Sequence, residues 1–112
     1  MSDTLQQLDE VLESRKGKPA DSSYVASLYE KGIEKILKKV AEESAETVMA
    51  AKDLEHNKSP ENQEHLVYEI ADLWFHTMVL LASQNLSSKD VTTELQRRFG
   101  LSGLDEKASR TK

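Results

Sequence analysis

The chain contains no cysteine. That excludes disulfides, thiol nucleophiles and cysteine-based zinc sites. Aromatic residues make up only 5% of it, and four glycines and two prolines are spread over 112 residues. So few breakers leave long stretches free to be helical. Basic charge is in deficit, with 15 lysines and arginines against 20 acids and a formal net charge of −5. A nucleic-acid-binding module carries the opposite footprint. A phosphorylated small molecule stays compatible, because a bound cation inverts the local charge. The opening "MSDTLQQLDEVL" has no basic segment followed by an apolar run and does not read as a secretory leader. No uninterrupted apolar run approaches the ~20 residues that span a bilayer. A cytoplasmic protein with no membrane or nucleic-acid partner is the expectation. Its length suits one domain, residues 1–112, and the polar composition of the tail from about residue 101 gives the expectation of a mobile end.

What is present is helical periodicity. Leu5, Leu8, Val11 and Leu12 give a short amphipathic helix, followed by a loop through Gly17 and Pro19. Asp21, Ser22 or Ser23 can cap a second helix from Tyr24 to Lys31, and Gly32 should kink or break it. A long helix is predicted from Ile33 to about Leu54. Another runs from Pro60 to about Ser83, with Ser59 at the N-cap and Glu61 in the first turn. Ser87 and Asp90 resemble a capping box for a last helix, Ser88 to Phe99. No segment alternates as a strand does. The predicted class is all-α: an antiparallel helical hairpin with additional short helices.

Carboxylates interrupt this pattern where apolar residues belong. At about 100° per residue, Ile36, Val40, Glu43 and Thr47 share one stripe, so Glu43 falls on a face that should be buried. Glu42 and Glu46 lie together on a flank, and Glu43 and Glu46, three apart, can converge on one ligand. Leu37, Ala41, Ala45 and Val48 are expected in the core. The segment "LVYEIADLWFHTMVLLA" is apolar nearly all round, and its only formal charges are Glu69 and Asp72, with His76 on the same strip. Such a helix is normally buried, and an unpaired buried carboxylate is costly. A cation should compensate: Lys38, Lys39, Lys52 or a metal ion. Taken alone, Glu42, Glu43 and Glu46 read as a solvated face. Joined by Glu69 and Asp72 they read as a metal site, and hard oxygen donors suit Mg²⁺, with Mn²⁺ as the alternative, rather than Zn²⁺. His76 is expected to be buried and hydrogen-bonded rather than a ligand. His56 and His65 are expected to be exposed, and Trp74 and Phe75 to be core or interface. A helix this apolar also needs more cover than one short chain provides, which predicts a homodimer packed as a helix bundle.

The pair "EESAE" and "EIAD" resembles the all-α NTP pyrophosphatase superfamily, the MazG-like enzymes, whose hallmark is E-E-x-x-E followed by E-x-x-D on two antiparallel helices. More narrowly, "SSYVASLYEKGIEKILKKVAEESAETVMAAK", "LVYEIADLWFHTMVLLA" and the tail "FGLSGLDEKASR" resemble the phosphoribosyl-ATP pyrophosphatase family of histidine biosynthesis, in its stand-alone form. The resemblance implies Mg²⁺-dependent hydrolysis of 1-(5-phosphoribosyl)-ATP to 1-(5-phosphoribosyl)-AMP and pyrophosphate. It implies Glu43, Glu46, Glu69 and Asp72 as metal ligands and Glu42 as a further ligand or the base that orients water. Basic residues should meet the phosphates: Lys39 first, then Arg97, Arg98, Lys107 and Arg110, from this chain or a partner subunit.

Three other readings compete. A house-cleaning nucleoside triphosphate pyrophosphatase of the MazG type would use the same metal chemistry with another pocket. A redox di-metal bundle would need Glu-x-x-His pairs, and no histidine stands three residues after a site carboxylate. A non-catalytic dimerisation bundle would have no activity to lose.

Overall fold

A computed structural model describes residues 3–99, and among them every regular element is a helix. Helix α1 spans Thr4–Ser14, α2 Tyr24–Lys31, α3 Ile33–His56, α4 Pro60–Ser83 and α5 Ser88–Arg98. The all-α expectation holds, and the helix limits fall within two residues of those predicted. One short 3₁₀ turn, Ala20–Ser22, stands inside the segment expected to be a plain loop.

The helix caps act where the sequence placed them. Ser23 accepts a hydrogen bond from the Ala26 N–H at 3.0 Å, which starts α2. Ser59 does the same for Asn62 at 3.1 Å, with Pro60 opening α4. The Asp90 carboxylate accepts from the Ser87 N–H at 2.9 Å at the start of α5. Gly32 separates α2 from α3 with φ 96° and ψ −176°, a region that side chains other than glycine's essentially do not enter. Its N–H still closes on the Leu28 carbonyl at 3.0 Å, so two helices meet at one residue with no linker. A Cβ at this position meets no atom within 4 Å, so the cost of adding one is purely conformational. Gly32→Ala is expected to lower stability by about 1–3 kcal/mol, read as a lower urea midpoint with an unchanged denaturant slope.

α3 and α4 are joined only by Asn57, Lys58 and Ser59 and pack antiparallel along their length. The core lies at the end of this hairpin away from that turn. There Leu12, Val25, Leu28, Ile36, Met78, Val79 and Ala82 form one buried cluster contributed by α1, α2, α3 and α4. Leu12, Leu28, Ile36 and Val79 are fully buried, each worth roughly 1.5–3 kcal/mol of transfer free energy. Tyr29 donates its hydroxyl to the Leu12 carbonyl at 2.8 Å and fastens α2 to α1. Asp9 accepts from the Ser88 N–H at 3.1 Å and from the Ser88 hydroxyl at 2.6 Å, which fastens α1 to the start of α5.

One expectation fails in the single chain. Leu37 and Val48 are 44% and 60% exposed, and Ala41 and Ala45 are exposed as well. The hairpin buries one stripe of α3, through Ile36, Glu43 and Ala50, and the stripe carrying Leu37 to Val48 faces away from it. By length and composition α4 could cross a membrane, with a mean hydropathy of 1.2 over its most apolar window. Here it is instead one arm of the hairpin, with Glu69 buried near its middle.

Candidate active site

The antiparallel register decides the site. It sets Glu43, midway along α3, opposite Glu69 and Asp72 of α4. Thr47, one turn after Glu43, donates to the Glu43 carbonyl at 2.8 Å and also approaches the Glu69 carbonyl at 3.3 Å, so it pins the two helices at this level. Glu43 and Glu69 are only 4% and 7% exposed, and Asp72 is half-buried. Carboxylate oxygens from these three residues all lie within 4.8 Å of one another.

The surroundings do not neutralise them. Lys39 reaches Glu42 at 3.3 Å and Glu43 at 3.6 Å. His65 Nε2 donates to Glu69 Oε2 at 3.0 Å. Oε1 of Glu43 and Oε1 of Glu69 are both buried and have no hydrogen-bond partner. A buried polar atom without a partner is destabilising by about 1–3 kcal/mol, and more where it carries charge. Glu46 is exposed at the rim. The negative charge of Glu43, loss of hydration and the nearness of Glu69 hold its carboxyl above the usual range. Burial alone would lower Lys39, but its hydrogen bond to Glu42 and the neighbouring Tyr24, Glu42 and Glu43 together raise it, so it stays an ammonium. Clustered hard oxygens, with two orphaned ones on Glu43 and Glu69, fit a divalent cation, whose charge would offset the mutual repulsion.

The structure treats the other residues singled out from sequence unequally. Glu42 is half-buried and paired with Lys39. Arg97 Nη2 and Arg98 Nε lie 2.8 and 3.1 Å from Glu94 on their own helix, and they hold Glu94 down to about 2. Their helix packs on α1, and the carboxylate cluster is on the α3–α4 hairpin. Lys107 and Arg110, with the rest of the tail, lie outside the described residues. His76 is buried and hydrogen-bonded, as expected: its Nδ1 donates to the Asp72 carbonyl at 2.9 Å and its Nε2 meets the Tyr24 hydroxyl at 2.8 Å. His65 is half exposed, as expected, but it also touches the cluster. Its place four residues before Glu69 was a visible signal for that contact. Tyr24 was missed, because nothing local in the sequence connects it to His76, 52 positions away.

An antiparallel helical hairpin whose two arms bring carboxylate oxygens within 4.8 Å of one another defines the class: an all-helical protein with an acidic centre able to hold a cation. A family model described as phosphoribosyl-ATP pyrophosphohydrolase matches residues 5–99. A protein of Hydrogenovibrio crunogenus named phosphoribosyl-ATP pyrophosphatase is 62% identical over 111 residues, covering 99% of this chain and 96% of its own. Proteins of the same name from Ruthia magnifica and Vesicomyosocius okutanii are each 54% identical over 110 residues, with 98% of both chains covered. The chain belongs to the phosphoribosyl-ATP pyrophosphohydrolase family.

Proposed function

We propose that this protein hydrolyses 1-(5-phosphoribosyl)-ATP to 1-(5-phosphoribosyl)-AMP and pyrophosphate, the second step of histidine biosynthesis. It does so in the cytoplasm, as a homodimer of single-domain chains covering residues 1–112. The reading is supported by the two buried, unpartnered oxygens of Glu43 and Glu69, in carboxylates that lie within 4.8 Å of each other and of Asp72. Glu43, Glu46, Glu69 and Asp72 would hold Mg²⁺, or Mn²⁺ in its place. When bound, the ion supplies neutralisation of phosphate charge and acidification of a water.

The chain's own residues do the rest. Glu42 has one oxygen engaged by Lys39, which leaves the other to take a proton from the attacking water. The water oxygen bonds to phosphorus as the anhydride oxygen leaves with pyrophosphate. Lys39 donates to a phosphate oxygen across the mouth of the cluster, where its side chain remains 23% exposed. Arg97 and Arg98 each keep guanidinium N–H donors beyond those that engage Glu94, and these could meet further phosphate oxygens. The exposed apolar stripes of α3 and α4, with Val48, Val67 and Trp74 all more than half exposed, support the homodimer.

The test is direct comparison of turnover on phosphoribosyl-ATP and on a panel of deoxynucleoside triphosphates in Mg²⁺, with the products identified by chromatography. A pocket that pairs its polar groups with the second ribose-phosphate arm should prefer phosphoribosyl-ATP by about a hundredfold or more. Preference for any deoxynucleotide would overturn the assignment in favour of a house-cleaning enzyme.

A further inference from the structure

The two buried carboxylates of the cluster are held in parallel ways. Each has a basic residue four positions earlier on its own helix: Lys39 before Glu43 on α3, and His65 before Glu69 on α4. Four residues is the helical spacing at which side chains meet. In both pairs the earlier side chain reaches Oε2, and in both the buried oxygen without a partner is Oε1. The two anchors differ in kind. Lys39 lies 3.6 Å from Glu43 and nearer to Glu42, at 3.3 Å, so it acts as a shared point charge. His65 Nε2 stands 3.0 Å from Oε2 of Glu69, the distance of a directed hydrogen bond.

A carboxylate only accepts, so Nε2 of His65 carries the hydrogen. A neutral imidazole supplies that hydrogen as a charged one does, so the contact does not depend on a second cation beside the acid. Glu69 is also fastened at its main chain, where the Thr47 hydroxyl of α3 approaches its carbonyl at 3.3 Å. Its side chain is 10% exposed, and that of His65 is 50% exposed. The imidazole therefore runs from solvent down to a buried acid. It takes no part in the buried apolar cluster.

We infer that His65 is a positioning residue for the metal centre: by holding Oε2 of Glu69, it fixes the carboxylate with Oε1 left for the cation. The inference rests on reading Glu43, Glu69 and Asp72 as the metal-holding site. A loose glutamate side chain must lose rotamer freedom when it takes a ligand. A hydrogen bond to one oxygen removes much of that freedom beforehand. In metal sites the ligating carboxylates are themselves hydrogen-bonded, and loss of such a partner lowers metal affinity by about 10–100-fold. In this role His65 touches neither substrate nor attacking water, so its effect falls on cation affinity and not on the chemical step.

His65→Leu and His65→Gln test this. Leucine removes the donor and is a good helix former. The glutamine amide supplies an N–H in place of Nε2. Mg²⁺ is titrated into the metal-free protein without substrate, and binding is read by calorimetry and from the melting temperature. The dissociation constant is expected to rise about tenfold or more in His65→Leu, and to stay within about threefold of wild type in His65→Gln. In turnover of phosphoribosyl-ATP, the Mg²⁺ concentration for half-maximal rate should rise in step, with kcat at saturating Mg²⁺ within about twofold. A merely structural role would lower the melting temperature in chelator and leave the dissociation constant unmoved. That result, a full loss of affinity in His65→Gln, or ¹⁵N NMR placing hydrogen on Nδ1 of His65 alone would each overturn the inference. The wild type separates the two readings. If it does not respond to Mg²⁺, the metal-site reading fails and this inference with it. If it responds, and His65→Leu responds at the same concentrations, only the positioning role fails.

Discussion

Glu69→Gln is expected to lower kcat/KM for phosphoribosyl-ATP by about a thousandfold or more, near 4 kcal/mol of transition-state stabilisation, while the metal-free protein becomes no less stable. The two effects have one origin. Glu69 is 7% exposed, and its carboxylate oxygen lies within 4.8 Å of those of Glu43 and Asp72. One of its oxygens is engaged by His65, and the other has no partner. Glutamine keeps the volume and the interaction with α3, removes one of the repelling charges, and brings N–H donors to the neighbourhood of the orphaned Glu43 oxygen. Without metal this should stabilise by about 1 kcal/mol, the net value of an ordinary hydrogen bond. With Mg²⁺ the comparison reverses. Wild type should gain about 2.7 kcal/mol at a hundred times the dissociation constant, and the variant almost nothing. Thermal melts in chelator and in excess Mg²⁺, run beside the activity assay, read both halves. A variant that still hydrolyses at the wild-type rate, or still melts higher in Mg²⁺, would show that Glu69 is a buried structural acid and not a ligand.

The parts of this site that the sequence disclosed are those fixed by local spacing. Caps at Ser23, Ser59 and Ser87 and the break at Gly32 are chemistry of one turn, and the helices begin and end there. Glu43 and Glu46, or Glu69 and Asp72, share a face because they stand three residues apart on a helix. A connection as short as Asn57–Ser59 leaves two long helices little choice but to pack antiparallel. Their convergence could therefore be read before any coordinates. The Tyr24–His76 contact could not, since it depends on where α2 leaves Gly32 and how it lands on α4. Nor does apolarity say who covers a face. Ile36 and Val48 look alike in the sequence, yet one is 1% and the other 60% exposed in the chain. The pairing of Arg97 and Arg98 with Glu94, by contrast, is again local spacing, three and four residues apart on one helix.

That exposed stripe gives the second large expected effect: Val48→Glu should convert the proposed homodimer to a monomer. Val48 shares its face of α3 with Leu37, Ala41 and Ala45, and α4 shows Val67 and Trp74, 67% and 58% exposed, in the same way. A charge placed in the middle of a buried apolar interface has no partner and must be desolvated. The dissociation constant should rise about a thousandfold, equivalent to about 4 kcal/mol. In the single chain the position is already open to water, and glutamate is a good helix former. The hairpin should therefore keep its helical circular dichroism while sedimentation velocity gives half the mass. A variant that remains dimeric would place the interface on another face, and a monomeric wild type would remove the proposed dimer altogether. The monomer is also informative about the site. Glu43 lies on a different stripe of α3 from Val48, so the cluster survives dissociation if the hairpin alone builds it. Stabilisation of the Val48→Glu monomer by Mg²⁺ would then assign the dimer the task of covering the back of the hairpin. Loss of that stabilisation, with helicity intact, would make the second copy part of the metal centre.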